Sequence, residues 1–389
     1  MSDAVATVLH PLRQFVVKLH SRCNLACRYC YVYTMDDQRW RARPRVLSPK
    51  LAERTASRIA EHANRHDIPE MRIVLHGGEP LLAGTEAISH FVHAVRAALG
   101  DRTSAVITLQ TNGTLLTETR VRALAALDVR IGVSLDGTRA SQDRRPDHRG
   151  RSSHELVVAG LSQLHAPYAR SRYAGLLATI DLAADPVETY EALLAHRPPM
   201  VNFLLPHGNW TSLPPGRTTS RDESPYADWL IAVFDRWYGA PRRETGVRLF
   251  EEIIQGLLGG TSRMEGIGLG PLALVVVETD GAIEMSDTLA STYHGAASTG
   301  LHVDTDPFDA VLSLPVVRAQ QSGADGLPTV CYGCGLRRVC GGGLRAHRYR
   351  AGHGFDNPSV YCPDLTRLIR HIRATLARDV AALRETAST

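Results

Sequence analysis

Short apolar runs alternate with longer amphipathic segments through the first half of the chain. The runs that predict strands are Phe15–Leu19, Met71–Leu75, Ala105–Leu109, Arg130–Leu135, Tyr173–Ile180 and Val201–Leu205. The segments that predict helices are Leu51–Arg65, Thr85–Leu99, Thr117–Leu127, Ser153–His165 and Pro186–His196. Strands that alternate with helices predict a parallel α/β sheet with right-handed crossovers, and six strands are too few to close an eight-stranded barrel.

The pattern changes after residue 206. Two helices are predicted at Tyr226–Tyr238 and Thr245–Leu258, followed by a strand, a turn and a strand across residues 272–285. A last helix is predicted at Thr366–Leu383. We therefore expect three regions: a sheet domain at 12–206, a bridging helical region at 207–270 and a third domain at 271–389.

Composition and charge exclude several classes of protein. The 389 residues are 44% hydrophobic and 22% charged, with a net charge of +4, which is ordinary for a globular protein. No apolar stretch approaches 18–20 residues and no secretory signal is present, which predicts no membrane partner. The sequence contains no motif typical of proteins that contact base edges or the phosphate backbone, so nucleic acid is not an expected partner. Seven cysteines in two metal-like groups favour a reducing, cytoplasmic location.

The first cysteine group follows the first predicted strand. Cys23, Cys27 and Cys30 have the spacing C-x3-C-x2-C. Three thiolates this close suit a soft metal or an iron–sulfur cluster, and a [4Fe–4S] cube held by three cysteines leaves one iron open to a small molecule. On spacing alone, a structural zinc loop is the alternative.

Polar motifs also follow the next three predicted strands. His76-Gly-Gly-Glu-Pro80 follows the second strand, Gln110-Thr-Asn-Gly113 the third, and Val133-Ser-Leu-Asp-Gly137 closes the fourth. With Tyr29 inside the cysteine motif, the four motifs together resemble, in order, those of radical S-adenosylmethionine (SAM) enzymes. This resemblance implies an α/β partial (β/α)6 barrel, a first [4Fe–4S] cluster on the three cysteines, and SAM bound at its open iron.

The resemblance also implies roles for residues around SAM. Gly77 and Gly78 would let the backbone approach the methionine amine, with Glu79 and Pro80 fixing the loop. Ser134 and Asp136 would bond the ribose or the methionine end, and Tyr29 would cover the adenine edge. Two further pairs have open alternatives: Arg144 or Arg145 would pair with the SAM carboxylate or be a surface charge, and Gln110 and Asn112 would touch SAM or substrate, or hold the strand-end loop.

The second cysteine group predicts another metal centre. Cys331, Cys334, Cys340 and Cys362 supply four thiolates, a closed set for Zn²⁺ or for a [4Fe–4S] cluster. The run Cys340-Gly-Gly-Gly and the later Cys362-Pro-Asp resemble the SPASM domain of peptide-modifying radical SAM enzymes, which favours iron and sulfur.

The resemblance to a SPASM domain is partial. A full SPASM domain has seven cysteines and two auxiliary clusters, whereas Ser286 and Leu344 occupy two of the positions expected for the inner cluster. We therefore predict two [4Fe–4S] clusters in total. In SPASM relatives an aspartate at the position of Asp287 takes a proton from the substrate, which makes Asp287 the candidate base; a solvated turn carboxylate is the alternative.

Nearly the whole chain resembles the FxsB-type maturases, which form cyclophanes in ribosomally made peptides. Among the segments that carry this resemblance are Pro11–His20, Leu204–Trp210, Tyr226–Leu230 and Asn357–Asp364. It implies a carbon–carbon bond between an aromatic ring and the β-carbon of a residue two positions later. The implied partners are a precursor peptide with leader and core, and an electron donor such as flavodoxin or ferredoxin.

Two other functions stay open at this point. One is a different radical SAM peptide modification: thioether formation, epimerisation or oxidation to formylglycine. The other is a non-catalytic iron–sulfur or zinc protein that binds a peptide or passes electrons and needs no SAM.

Overall fold

The computed structural model describes residues 10–220, 222–262 and 264–387. In chain order its strands are β1 Gln14–His20, β2 Glu70–Gly77, β3 Ser104–Thr111, β4 Arg130–Ser134, β5 Tyr173–Thr179, β6 Met200–Leu204, β7 Gly246–Val247, β8 Leu274–Val277, β9 Ala282–Glu284 and β10 Ser298–His302. Its helices are α1 Tyr31–Thr34, α2 Pro49–Arg65, α3 Gly84–Leu99, α4 Glu118–Ala126, α5 Arg139–Gln142, α6 His154–Gln163, α7 Pro167–Arg170, α8 Pro186–Leu194, α9 Pro225–Tyr238, α10 Arg248–Leu257, α11 Asp309–Leu312, α12 Pro315–Gln321, α13 Arg337–Cys340 and α14 Cys362–Ala387.

The first compact unit comprises the described residues up to Ala178 together with Pro271–Ser322. Its sheet has the order β10-β9-β8-β1-β2-β3-β4-β5. The strands β1 to β5 pair in parallel, and β8 pairs in parallel with β1 on the other side. Because the carboxyl ends of parallel strands meet at one edge of a sheet, the segments after β1, β2, β3, β4 and β8 converge there.

The predicted α/β partial barrel is confirmed: all six strands and the five helices between them are present, with ends that differ by a few residues. Local chemistry fixes several of these ends. Ser48 caps α2 by accepting a hydrogen bond from the backbone of Leu51, and Thr117 caps α4 in the same way. Gly100 ends α3 with a φ of 58°, a conformation that favours glycine.

The position of the later strands could not be read from the sequence. The predicted strand–turn–strand exists as β8 and β9, but β8 lies directly beside β1, with Gln14 opposite Leu274 and Val17 opposite Val277. A third strand, β10, was not predicted and pairs with β9. Residues 271–322 therefore belong to the same compact unit as the parallel strands, and the predicted domain boundaries at 206 and 270 stay a prediction.

The second compact unit comprises Thr179–Gly270 and the described residues from Gly323 onward. Strand β6 pairs in parallel with β7, which takes the first residues of the predicted helix 245–258, so that α10 begins at Arg248. Helix α9 packs against α14. Helix α14 begins at Cys362, four residues earlier than predicted.

None of the helices in the described ranges combines the length and the apolar character that crossing a bilayer would require.

Candidate active site

The first three cysteines lie on the loop that leaves β1 at the carboxyl edge of the sheet. Cys23, Cys27 and Cys30 are free thiols, partly exposed. The Sγ atom of Cys23 accepts hydrogen bonds from the backbone N–H of Leu25 at 3.4 Å and from Nδ2 of Asn112 at 3.6 Å. Donors to sulfur stabilise the thiolate form that binds iron.

Burial raises the pKa of the Cys23 thiol to about 12 and that of the Cys27 thiol to about 11. Thiols of this kind lose their protons when a metal takes them, because the metal–sulfur bond replaces the lost solvation. The Arg145 guanidinium opposes the rise at Cys27. The loop therefore places three metal-competent sulfurs beside a fixed cation.

The two glycines at the carboxyl end of β2 lie against the end of β1 and the start of the cysteine loop. A Cβ atom on Gly77, whose φ is 143°, would lie 2.2 Å from the carbonyl oxygen of His20, and one on Gly78 would lie 2.5 Å from that of Arg22. The backbone N–H of Gly78 donates to His20 at 2.8 Å. Only glycine permits this approach, so the two residues are needed for the fold of the site as well as for any ligand.

Glu79 ties two strand ends together. Its carboxylate is fully buried. Oε1 accepts hydrogen bonds from the backbone of Leu81 at 3.0 Å and from the hydroxyl of Thr111 at 2.7 Å, and Oε2 accepts one from the backbone of Asn112 at 2.8 Å. Pro80 begins the 3₁₀ turn that Glu79 caps. These contacts agree with the loop-fixing role expected for Glu79 and Pro80.

Tyr29, Asp136 and two arginines form a charged cluster beside the cysteines. The Tyr29 hydroxyl donates to Oδ2 of the buried Asp136, whose carboxylate also lies 3.5 Å from Nη2 of Arg144 and 3.6 Å from Nη1 of Arg145. The Arg144 guanidinium lies 5.0 Å from the centre of the Tyr29 ring. Asp136 thus holds Tyr29 and both arginines in place.

Arg145 is the member of this cluster that fits an anionic ligand. Its side chain is 7% exposed, and its Nε has no hydrogen-bond partner among the described residues. Burial opposes its charge, but Tyr29, Asp136 and Cys27 outweigh burial and raise the pKa of the guanidinium. A permanently charged, buried group with a spare N–H donor suits a carboxylate.

The remaining predicted residues lie at the ends of β3 and β4. Nε2 of Gln110 donates to Oγ of Ser134 at 3.0 Å, so these two side chains contact each other. Nδ2 of Asn112 donates to Oδ1 of Asn24 at 2.9 Å as well as to Cys23. Asn112 therefore joins the cluster loop to β3.

A cavity of about 610 Å³ opens on the cysteine loop. It is lined by all three cysteines together with, among others, Arg22 and His148. This volume is within the range of small-molecule and cofactor sites. The three sulfurs, the donors to Cys23 and the spare donor of Arg145 together fit a [4Fe–4S] cluster with a bound carboxylate nearby.

Asp287 lies at the same edge of the sheet. Its Oδ2 accepts a 2.8 Å hydrogen bond from the hydroxyl of Tyr31 and lies 3.7 Å from Nζ of Lys18. Lys18 is buried and donates to Oε1 of Glu278, just after β8, at 2.6 Å. Asp287 is therefore not a solvated turn carboxylate: its side chain is 15% exposed and linked to a buried ion-pair network.

Lys18, Tyr31 and His76 are residues of this site to which the motifs assigned no role. Burial lowers the pKa of His76 despite the nearby Asp287, and its Nδ1 is buried without a hydrogen-bond partner in the described structure. The sequence could have singled out Lys18, because a lysine inside an otherwise apolar strand needs a buried partner for its charge. The surroundings of Tyr31 and His76 could not be inferred from the sequence in this way, since their partners come from distant segments.

The second cysteine group lies in the second unit. Cys331 ends a 3₁₀ turn, Cys340 ends α13 and Cys362 begins α14, while Cys334 is exposed between them. Burial raises the pKa of Cys340 to about 12, and the neighbouring Cys362 adds to this rise. Burial also raises the pKa of Cys331, and the charges of Cys362 and Cys334 act in the same direction. The four thiols thus act on one another electrostatically, and four cysteines are the ligand set of a closed four-sulfur site.

Arg348 shapes the loop that follows Cys340. Its buried guanidinium donates to the carbonyl oxygens of three successive glycines, Gly341 at 2.7 Å, Gly342 at 2.9 Å and Gly343 at 2.8 Å. All three glycines have φ between 63° and 71°. A Cβ on Gly341 would lie 1.8 Å from the carbonyl oxygen of Gly268, which explains why no larger residue stands there.

Comparison with known proteins supports the same picture. Residues 17–167 match the radical SAM superfamily. The chain is 28% identical over 344 residues to a serine-type anaerobic sulfatase-maturating enzyme of Klebsiella aerogenes, covering 85% of this chain and 79% of that protein. It is 24% identical over 280 residues to a cysteine-type enzyme of Clostridium perfringens, covering 71% and 74%.

Two solved structures share the fold. The structure of native anSMEcpe with bound AdoMet superposes with a TM-score of 0.80 at 20% identity, covering 94% of this chain and 98% of that one. Streptococcus suis SuiB bound to its precursor peptide SuiA superposes with a TM-score of 0.57 at 13% identity, covering 92% and 76%.

Proposed function

We propose that this chain is a radical SAM enzyme that modifies a ribosomally made precursor peptide by forming a carbon–carbon crosslink between an aromatic ring and the β-carbon of a residue two positions later. The observation that carries the radical step is the convergence of three metal-competent sulfurs with the spare donor of the buried Arg145. That a peptide is the substrate is supported by the relatives, whose names describe maturation of sulfatases and binding of a precursor peptide.

Each part of the site has a task in this reaction. Cys23, Cys27 and Cys30 would hold the first [4Fe–4S] cluster, and Arg145 would bind the carboxylate of SAM. When bound, SAM and the two clusters supply a 5′-deoxyadenosyl radical that removes one hydrogen atom from the peptide, and an acceptor for one electron. Asp136 keeps Arg145 and Tyr29 in place for the bound cofactor.

The remaining bond changes and the loss of the second hydrogen take place on the peptide. Its β-carbon radical adds to the aromatic ring, which then loses one electron and one proton, so that the product is two hydrogens lighter than the substrate. Asp287 would take the proton. Tyr31 and Lys18 fix the carboxylate from two sides, which keeps one oxygen at a defined place in the site.

Oxidation of a serine or cysteine side chain to formylglycine is the second candidate. The match to sulfatase-maturating enzymes over 85% of this chain favours it. It would use the same hydrogen abstraction and the same base. The two candidates differ in the second bond formed: a ring carbon–carbon bond in one, and in the other a carbon–oxygen double bond from serine, or from cysteine a carbon–sulfur double bond that water hydrolyses to the aldehyde with release of hydrogen sulfide.

Mass spectrometry of the product separates the candidates. Anaerobically reconstituted enzyme would be incubated with SAM, a reductant and the small peptide encoded beside its gene. A crosslink removes two hydrogens, suppresses fragmentation between the joined residues and leaves no carbonyl. Oxidation of serine also removes two hydrogens, but the product then reacts with a hydrazide probe. A peptide labelled by hydrazide would overturn the crosslinking proposal.

A further inference from the structure

Two histidines and one aspartate converge on the first unit away from the cysteines. His62 and His66 are one turn apart on α2 and its carboxyl end, and Asp309 begins α11. Nδ1 of His62 lies 3.3 Å from Oδ2 of Asp309, and Nε2 of His66 lies 2.5 Å from Oδ1. One ligand atom of each residue lies within 4.8 Å of the others.

The hydrogen bonds of His62 leave one ring nitrogen facing the carboxylate. Nε2 lies 3.2 Å from the carbonyl oxygen of Leu12, which can only accept, so Nε2 carries a proton. In the neutral ring Nδ1 then has a lone pair, and another acceptor, Oδ2 of Asp309, lies 3.3 Å away. Both atoms are buried without a hydrogen-bond partner among the described residues, and His62 has no exposed surface. Two buried acceptors this close together require a cation beside them or a proton on the ring.

This arrangement matches a metal site in several respects. Ligating histidines commonly donate the other ring N–H to a backbone carbonyl, as His62 does to Leu12. Two ligands of a tetrahedral Zn²⁺, each about 2.0–2.1 Å from the metal, lie roughly 3.3–3.4 Å apart, which is the separation of Nδ1 and Oδ2. The side chains of His66 and Asp309 are 28% and 16% exposed, so an ion can enter from solvent.

The cluster is separate from the radical machinery. Leu12 precedes β1, whereas the cysteine loop follows its last residue, His20. Seven strand residues span on the order of 20 Å, so the two sites lie at opposite edges of the sheet. The three residues join α2 to α11, which belongs to the segment whose strands β8 to β10 extend the sheet.

We propose that His62, His66 and Asp309 bind a divalent cation of the Zn²⁺ type through two imidazoles and one carboxylate, with water in the fourth position. The ion fastens α2 to the segment 271–322 and thereby supports β8, which Glu278 directly follows beside Lys18. Imidazole and carboxylate ligands without a thiolate suit Zn²⁺, and the site would be structural because it is remote from the reacting atoms.

Zinc loading of the holoenzyme tests this site. Enzyme with both clusters reconstituted would be exposed to Zn²⁺ and desalted, and zinc and iron would be counted by mass spectrometry. Zinc K-edge absorption reports the ligands, because zinc bound by nitrogen and oxygen has neighbours at about 2.0–2.1 Å, whereas zinc bound by cysteine has sulfur at about 2.3 Å.

Three variants make the result specific. We expect one zinc per chain with nitrogen and oxygen neighbours in the native enzyme and in His90→Ala, which removes an exposed histidine paired with Glu53. His66→Ala and Asp309→Asn each reduce zinc to background while iron is unchanged, and the unchanged iron content shows that each variant has folded. Added zinc raises the melting temperature of the native enzyme but not that of the two site variants. Sulfur neighbours, zinc unchanged in His66→Ala, or no retained zinc would each overturn the proposal.

Discussion

The backbone amide of Asn112 donates a 2.8 Å hydrogen bond to Oε2 of the fully buried Glu79, and the side chain of Asn112 reaches Sγ of Cys23. One carboxylate therefore connects the end of β2, the end of β3 and a sulfur of the first cysteine group. Residues that are far apart in the chain are held at one edge of the sheet by this chain of contacts.

Replacing Glu79 by glutamine is expected to destabilise the enzyme. All three partners of the carboxylate are donors, so the amide NH₂ of glutamine faces at least one N–H or O–H in a fully buried site. A buried donor left without an acceptor costs about 1–3 kcal/mol. The melting temperature of Glu79→Gln should fall, whereas Glu70→Gln, an exposed change at the start of β2, should leave it within error. Equal melting temperatures for the two variants would contradict this role.

Arg145→Met is expected to weaken SAM binding. A lost charge-assisted hydrogen bond costs about 1.5–3 kcal/mol, or roughly 10- to 150-fold in Kd. Arg144→Met is the matched control, because Arg144 is more exposed and stacks over Tyr29. Equilibrium dialysis with labelled SAM measures both. A larger loss in Arg144→Met than in Arg145→Met would reassign the carboxylate partner.

Asp287→Asn should separate SAM cleavage from product formation. Asparagine still accepts the hydrogen bond of Tyr31 but does not take a proton from the substrate. We expect 5′-deoxyadenosine to form while peptide product falls about 10²-fold or more. Asp280→Asn changes a half-exposed carboxylate that pairs with Arg43 and should leave product formation unchanged. Product at the native rate in Asp287→Asn would exclude it as the base.

The iron content distinguishes the two metal centres. Two [4Fe–4S] clusters give about eight iron atoms per chain. Cys340→Ala should lower this to about four and leave reductive SAM cleavage in place, whereas Cys30→Ala should keep about four and abolish cleavage. If the second group bound zinc instead, the native enzyme would contain about four iron atoms and a zinc with sulfur neighbours.

Acidification should destabilise the second unit through His347. Burial, helped by His207 and Arg348, lowers the pKa of this ring well below 6.5, so the folded protein keeps it neutral while the unfolded chain protonates it. Its contribution to stability is complete above the unfolded pKa of about 6.5 and is lost at about 1.4 kcal/mol per pH unit as the pH falls below that value. The melting temperature of His347→Gln should therefore depend less on pH between 7.5 and 5.5 than that of the native enzyme or of His353→Gln, which changes an exposed histidine. Equal pH dependence in all three proteins would contradict this contribution.

The sequence revealed most of the parallel sheet because each apolar run ends in a polar motif. The alternation of β and α predicted that Cys23, Gly77, Asn112 and Asp136 would meet at one edge, and they do. Cysteine spacing likewise predicted two sulfur groups, and the three cysteines of the first group line one cavity.

Pairing between distant segments could not be predicted from the sequence. The run Leu274–Val277 indicated a strand, but an apolar run does not identify the strand beside it, so its position next to β1 was not foreseen. The ion pair of Lys18 with Glu278 and the contact of Asp287 with Tyr31 depend on that position. For the same reason the cluster of His62, His66 and Asp309 had no signal in the sequence.

Transfer of deuterium tests the central claim most directly. The precursor peptide would carry deuterium at the β-carbon of the residue two positions after an aromatic residue, and the enzyme would react with SAM under single-turnover conditions. The proposed reaction predicts one deuterium in 5′-deoxyadenosine and a crosslinked peptide that lacks one deuterium at that carbon. Unlabelled 5′-deoxyadenosine, formed together with a peptide aldehyde at a serine or cysteine, would contradict crosslinking and establish side-chain oxidation in its place.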